Sequence, residues 1–263
     1  MTHQPLDSLP ILLFVALFVA VNVVVYEIGY QIGKWVRHRA SDDVKPDEGP
    51  TGIVVGAILG LMAFLLAITM GMASDRFDAR RVLVLEETNA IGTTYLRAGY
   101  LDEPASSDLR DLLVEYVPLR IATSNDALLV ANLERSQQIL DEMWAIAEDV
   151  ARAQPSDVTA LFIESLNEVI DLHTSRFVAG VYARVPATIL LLLVAGVILS
   201  LGLVGYNAGL SEKRSPIIAI VLVLALGATL WLVIDLDRPR EGLITTSQQP
   251  LIDLQRKLGS SSQ

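Results

Sequence analysis

Residues 52–98 read GIVVGAILGLMAFLLAITMGMASDRFDARRVLVLEETNAIGTTYLRA, without a proline anywhere in the run. From Gly52 to Ala73 there is no charge. A hydrocarbon core of about 30 Å needs about 20 apolar residues of helix, and this stretch meets that length. Charges begin at Asp75, yet Phe77, Val84, Ile91 and Tyr95 keep recurring at helical spacing. The segment therefore predicts one helix that leaves the membrane without stopping. At about 1.5 Å per residue such a rod is roughly 70 Å long.

Three further apolar segments flank it, at about Leu9–Ile32, Val185–Tyr206 and Pro216–Ile234. The first contains Asn22 and Glu27. It lacks the basic leader and small-residue cleavage site of a signal peptide, so it is expected to span. Composition agrees: 52% of residues are hydrophobic and only 19% charged, against about 25% charged in soluble domains. Tyr26, Tyr30, Trp35, Tyr206 and Trp231 lie where interfacial aromatics are expected. The fold class is thus an all-α membrane protein. It has four transmembrane helices and a long helical block between the second and third. The chain divides at 1–74, 75–184, 185–236 and a tail at 237–263.

The block 75–184 carries 19 Asp/Glu against 10 Arg and no Lys. So acidic a surface argues against a nucleic-acid partner. Beyond the long second helix, Gly99 and Asp102-Glu103-Pro104 form a break. Ser106 or Ser107 then caps a helix to about Thr123, and Ser124 or Asn125 caps another to about Ala153. Pro155-Ser156-Asp157 opens a last helix. It is expected to run through Arg184 into the third span, as a second rod over 156–206 kinked near Pro186.

No enzyme is expected. There is no cysteine, the histidines (His3, His38, His173) are scattered, and no P-loop, HExxH or GxSxG run occurs. No cofactor is implied either. Orientation is not decided by charge. Lys34, Arg37, Arg39, Lys45, Lys213 and Arg214 lie in the short loops, against Arg76, Arg80, Arg81, Arg176, Arg184, Arg238 and Arg240 on the other side.

Five local patterns carry candidate roles. Gly52-x3-Gly56-x3-Gly60, continued by Phe64, Ile68 and Met72, is either a helix-packing seam or the wall of a narrow apolar pore. Asp75, Arg76 and Arg80 stand at the exit of that helix, as a pore mouth or as interfacial salt bridges. Glu86-Glu87-x-Asn89 reads as a solvated face, or as an acidic ring if chains assemble. Glu27 either serves function within the membrane or reaches the headgroups. Asp235, Asp237 and Glu241 offer oxygens for a hard cation, or simply form a charged Pro/Gly turn.

The stretch Asp75-Arg76-Phe77-Asp78-Ala79-Arg80-Arg81 resembles the Asp-Arg-aromatic-x-Ala-Arg-basic motif after the pore-lining second helix of bestrophins. Asp237-Arg238-Pro239-Arg240-Glu241-Gly242 is similar to the turn after their last membrane helix, although the Phe-Gly step is lost. Glu87-x-Asn89-Ala90-Ile91-Gly92-Thr93-Thr94-Tyr95-Leu96-Arg97 and Ser247-x-x-Pro250-Leu251 look like hallmarks of the bestrophin-like family of bacterial membrane proteins. The resemblance implies a homo-oligomer, a pentamer in bestrophins, in the inner membrane with both termini and the middle block cytoplasmic. It implies a neck at Gly60, Phe64 and Ile68. Gly60 departs from the bulky family pattern, so the constriction would begin at Phe64. It implies small inorganic ions as cargo, anions on family grounds, whereas the acidic block would draw cations into a vestibule. The alternative is a non-conducting scaffold or sensor, whose acidic helices dock partners.

Overall fold

The computed structural model describes residues 11–39, 48–123, 125–212, 215–239 and 242–261. Eight helices follow in order: α1 (Ile11–Arg39), α2 (Glu48–Ala98), α3 (Ala105–Leu119), α4 (Asp126–Ala153), α5 (Asp157–Val181), α6 (Ala187–Ser211), α7 (Pro216–Asp237) and α8 (Gln249–Ser261). No strand occurs among the described residues. Four helices, α1, α2, α6 and α7, are long and apolar enough to cross a membrane. The chain forms two units: residues 1–75 with 184–238, and residues 76–183 with 239–263. Lys45, Ser124, Lys213, Arg214, Arg240 and Glu241, named above as loop charges, cap or ligand, lie outside the described residues.

In the first unit, α1 packs along α6 through glycines. Cβ atoms added at Gly29 and Gly33 would lie 2.1 Å from the Gly202 carbonyl oxygen and 2.2 Å from that of Tyr206. Cβ atoms at Gly205 and Gly209 would lie 2.1 Å from the Tyr26 oxygen and 2.2 Å from the Tyr30 oxygen. Only glycine permits that backbone approach. It lets dispersion and weak Cα–H···O contacts hold two helices in a solvent as apolar as their side chains. Arg37 closes the end of the pair, donating to the Leu210 carbonyl at 2.5 Å. Within α1, the buried Asn22 amide donates to the Phe18 carbonyl at 2.8 Å. On α2, Met62, Leu66, Thr69 and Ala73 are buried, and the Met62 sulfur occupies the space beside Gly196 of α6.

The second expected rod is broken. α5 ends at Val181, Tyr182–Pro186 are not helical apart from one turn, and α6 starts at Ala187. Pro186 has no N–H, and its ring disfavours helical backbone at Val185. The Val185 N–H donates instead to Asp237 Oδ1 at 2.7 Å. Arg184 Nε donates to Asp237 Oδ2 at 3.2 Å. The carboxylate at the end of α7 therefore holds the entry to α6. The rod over 52–98, by contrast, is one helix.

In the second unit, α3, α4, α5, α8 and the later part of α2 share a core. Its largest fully buried members include Ile91, Leu109, Leu113, Tyr116, Leu140, Met143, Phe162 and Leu166. Each helix contributes one stripe at threes and fours, such as Leu109, Leu113 and Tyr116 on α3. Asn125 caps α4 by accepting from the Leu128 N–H at 3.1 Å, and Ser156 caps α5 by accepting from Thr159 at 3.1 Å. α3 differs from expectation. It starts at Ala105, ends at Leu119, and its first turn is met by the Glu103 carboxylate, which accepts from the Ser107 N–H at 3.1 Å. The tail is not merely a tail. α8 buries Leu251, Leu254 and Leu258 in this core.

Candidate pore-lining face and a buried charge cluster

α2 has two unlike sides in its membrane part. Met62, Leu66, Thr69 and Ala73 face the chain, none more than 6% exposed. On the other side Phe64 is 62% and Ile68 47% exposed, with Ile53 and Leu61 also bare. Gly60 is exposed on this same side, four residues before Phe64. An added Cβ at Gly52, Gly56 or Gly60 would meet nothing within 4 Å. Among the described residues, therefore, nothing packs against the glycine stripe. The seam that exists is the one between α1 and α6, at glycines the sequence reading passed over. Gly52→Ala is expected to leave the fold of a single chain unchanged, or to stabilise it by up to about 1 kcal/mol through helix propensity. Thermal unfolding against the size of the detergent complex checks this. A loss confined to assembly would place the seam between copies.

The three residues assigned to a mouth do not sit together. Asp75 is exposed, Arg76 half-buried and Arg80 buried. Asp75 follows Phe64 by eleven residues, about three helical turns, so it continues the Phe64 side. Asp78, not singled out from the sequence, is also exposed and lies three residues on.

Glu87 is not a solvated acid. Its carboxylate is fully buried and accepts from Arg120 Nε at 2.7 Å and from Arg176. Tyr116 Oη lies 3.3 Å from Glu87 Oε1 and 3.0 Å from His173 Nδ1. Arg176 also reaches Gln248, which precedes α8. One carboxylate thus joins α2, α3, α5 and the segment leading to α8. Burial pushes the Glu87 carboxyl upward, but the two guanidinium groups outweigh it and hold the pKa below its usual value. Burial, and then the Arg120 charge, push His173 down to about 4, so it is neutral near pH 7. Burial raises Tyr116 well beyond the usual phenol range. One signal in the sequence marked Glu87 as interior: it falls on the same stripe as Val84 and Ile91. Glu86 and Asn89, outside that stripe, are exposed.

Of the three weak cation-site candidates, Glu241 lies outside the described residues. Asp237 is committed to Arg184 and Val185, and Asp235 is fully buried in the last turn of α7. Among the described residues no group of three or more His, Asp or Glu is placed to hold a metal ion.

A model of the bestrophin-like domain family matches residues 19–251. A search of curated proteins finds no match. Among solved structures, a bacterial bestrophin homologue from Klebsiella pneumoniae aligns at a TM-score of 0.66 with 17% identity, covering 95% of this chain and 97% of that one. A single-site variant of the same homologue aligns at 0.69 with 17% identity, covering 96% and 98%. At that identity the likeness concerns the fold.

Proposed function

The chain belongs to the bestrophin-like family, and on that premise we propose that it is a homo-oligomeric ion channel whose pore runs along the exposed side of α2. One observation carries the reading. A membrane-length helix leaves Phe64 and Ile68 bare while its opposite side is buried. A ring of copies turned about that side would close an apolar neck, which conducts when wetted and blocks when dry. Gly60, just before it, adds no side chain, so the neck narrows at Phe64 and Ile68. By resemblance the ring is a pentamer in the inner membrane, with the second unit and both termini in the cytoplasm.

The test is reconstitution of the purified full chain into planar bilayers. Phe64→Ala is expected to widen the neck and raise unitary conductance or open probability about twofold or more, since dewetting depends steeply on radius and apolarity. A silent protein, or a current indifferent to Phe64, would sink the reading.

A further inference from the structure

We infer that the end of α5 is a membrane-binding surface: Phe177, Val178 and Tyr182 seat among lipid headgroups at the edge of the bilayer that α6 and α7 cross. The partner is a lipid surface, whether or not the protein conducts.

Phe177 is 37%, Val178 44% and Tyr182 62% exposed. The Phe177 and Tyr182 rings meet edge to face with centroids 6.0 Å apart. Val178 lies one turn before Tyr182, on the same face of α5. Such rings are favoured where hydrocarbon meets headgroup, because the apolar body is covered while the tyrosine hydroxyl stays wet. The chain itself holds them near that level. α7 has 22 residues and ends at Asp237, so it is about 33 Å long, little more than the roughly 30 Å hydrocarbon core. Asp237 therefore stands at the water edge. Its Oδ1 accepts from the Val185 N–H at 2.7 Å, which fixes Val185 at the same edge. Tyr182 is three residues earlier, and three residues of chain reach at most about 11 Å. The headgroup layer is about 5–8 Å thick on each side, so the covalent tether keeps Tyr182 within or beside it.

Charge changes along α5 in the same sense. Asp157, Glu164, Glu168 and Asp171 are exposed on its earlier turns. No acid follows between Leu172 and Ala183. Arg176, which lies in that run, is half-buried and paired with Glu87. What remains exposed there is Thr174, Ser175 and the three residues of the patch. In a block that holds 19 Asp/Glu against 10 Arg, the last turns of α5 thus carry no carboxylate. Anionic headgroups repel carboxylates at close range, so a helix end that meets them must lack acids. Leu161 on the same helix is 48% exposed as well, but it lies 24 residues of chain from Val185 and beside Glu164. Exposure alone therefore does not mark the surface; exposure, tether and missing charge coincide only at the end of α5.

The chain has no cysteine, so single cysteines carry a nitroxide to chosen sites in the full-length protein. The protein is reconstituted into vesicles of phosphatidylcholine and phosphatidylglycerol. The readout is accessibility to oxygen, which concentrates in lipid, relative to a water-soluble nickel chelate. Val178→Cys and Tyr182→Cys are expected to show an oxygen-to-nickel ratio about threefold or more above that of Leu161→Cys. Ratios equal to that of Leu161→Cys overturn the inference. So does a pair closed to both reagents, which would place protein rather than lipid on the patch.

Should the cysteine variants fail to fold, the wild type still decides. Trypsin cleavage after Arg176 and Arg184 releases residues 177–184, and cleavage after Arg135 and Arg152 releases residues 136–152 of α4. A phospholipid bearing a diazirine at its headgroup boundary is expected to label 177–184 about fivefold or more over 136–152. Equal labelling of the two peptides overturns the inference and leaves the channel reading standing.

Discussion

Gly205→Leu is expected to force α1 and α6 apart. The cost is at least about 3 kcal/mol, more than overpacking an ordinary core position. The reason is what a side chain there would meet. Its Cβ alone would fall 2.1 Å from the Tyr26 carbonyl oxygen, and backbone cannot rotate out of the way. Gly29, Gly33 and Gly209 make the same contact from either helix, so the seam cannot slide to relieve one position without closing on the next. Relief requires the axes to separate along their whole shared length. That would leave Arg37 without the Leu210 carbonyl and Asn22 no longer buried. In mild detergent, the unfolding transition read from Trp35 and Trp231 should drop on the order of 10 °C. A wild-type transition in Gly205→Leu would mean that the seam is absent.

Glu87→Leu is expected to be the most damaging change in the second unit, at about 3–5 kcal/mol. The loss is not the value of the ion pairs. It is the cost of leaving Arg120, 7% exposed, and the half-buried Arg176 with no counter-charge. Glu87→Gln keeps the shape and loses the charge, so it should fall between the two. Fluorescence of Trp144 on α4 reports this unit separately from the membrane helices. The same cluster predicts acid sensitivity. Glu87 has a depressed pKa, so its contribution is present above its unfolded value near 4.5 and is lost as pH falls through the folded value. His173 is depressed from 6.5 to about 4, so the unfolded chain takes up its proton first. Stability should therefore fall as pH drops from about 6.5 toward 4, by up to about 3 kcal/mol from His173. His173→Gln should flatten that upper part of the profile and leave the Glu87 part below it. A midpoint for Trp144 that does not move between pH 7 and pH 4.5 would refute this account.

Much of the architecture could be read directly from residue order. Four apolar runs of spanning length have no stable alternative to helix in lipid, because every backbone polar group must be satisfied within the segment. The uninterrupted run 52–98 had nothing in it to end a helix, and it forms one. Asn125 and Ser156 announced their helices because a cap is a local contact, made three residues away. Where the signal was not local, the reading failed. The tail looked like a tail because α8 gains its stability only from the core it covers. The second rod looked continuous because the partner that takes the Val185 N–H, Asp237, lies 52 residues away in sequence.

The site divides along the same line. Spacing alone placed Gly60, Phe64 and Ile68 on one side of a helix, and no fold was needed for that. Sequence could not say which side of α2 the chain itself would cover. It therefore grouped Arg80 with Asp75 and took Glu87 for a surface acid. Both depend on burial, which is set by what α3, α5 and α8 bring alongside. Glycines were ambiguous for the same reason. Gly52-x3-Gly56-x3-Gly60 and Gly29-x3-Gly33 have identical spacing, but only the second has another backbone against it. The sequence by itself determined that the chain crosses a membrane as helices and carries a long α2 out of it. Tertiary structure alone decided which glycines touch and which carboxylates stay in water, because those are properties of neighbours far along the chain.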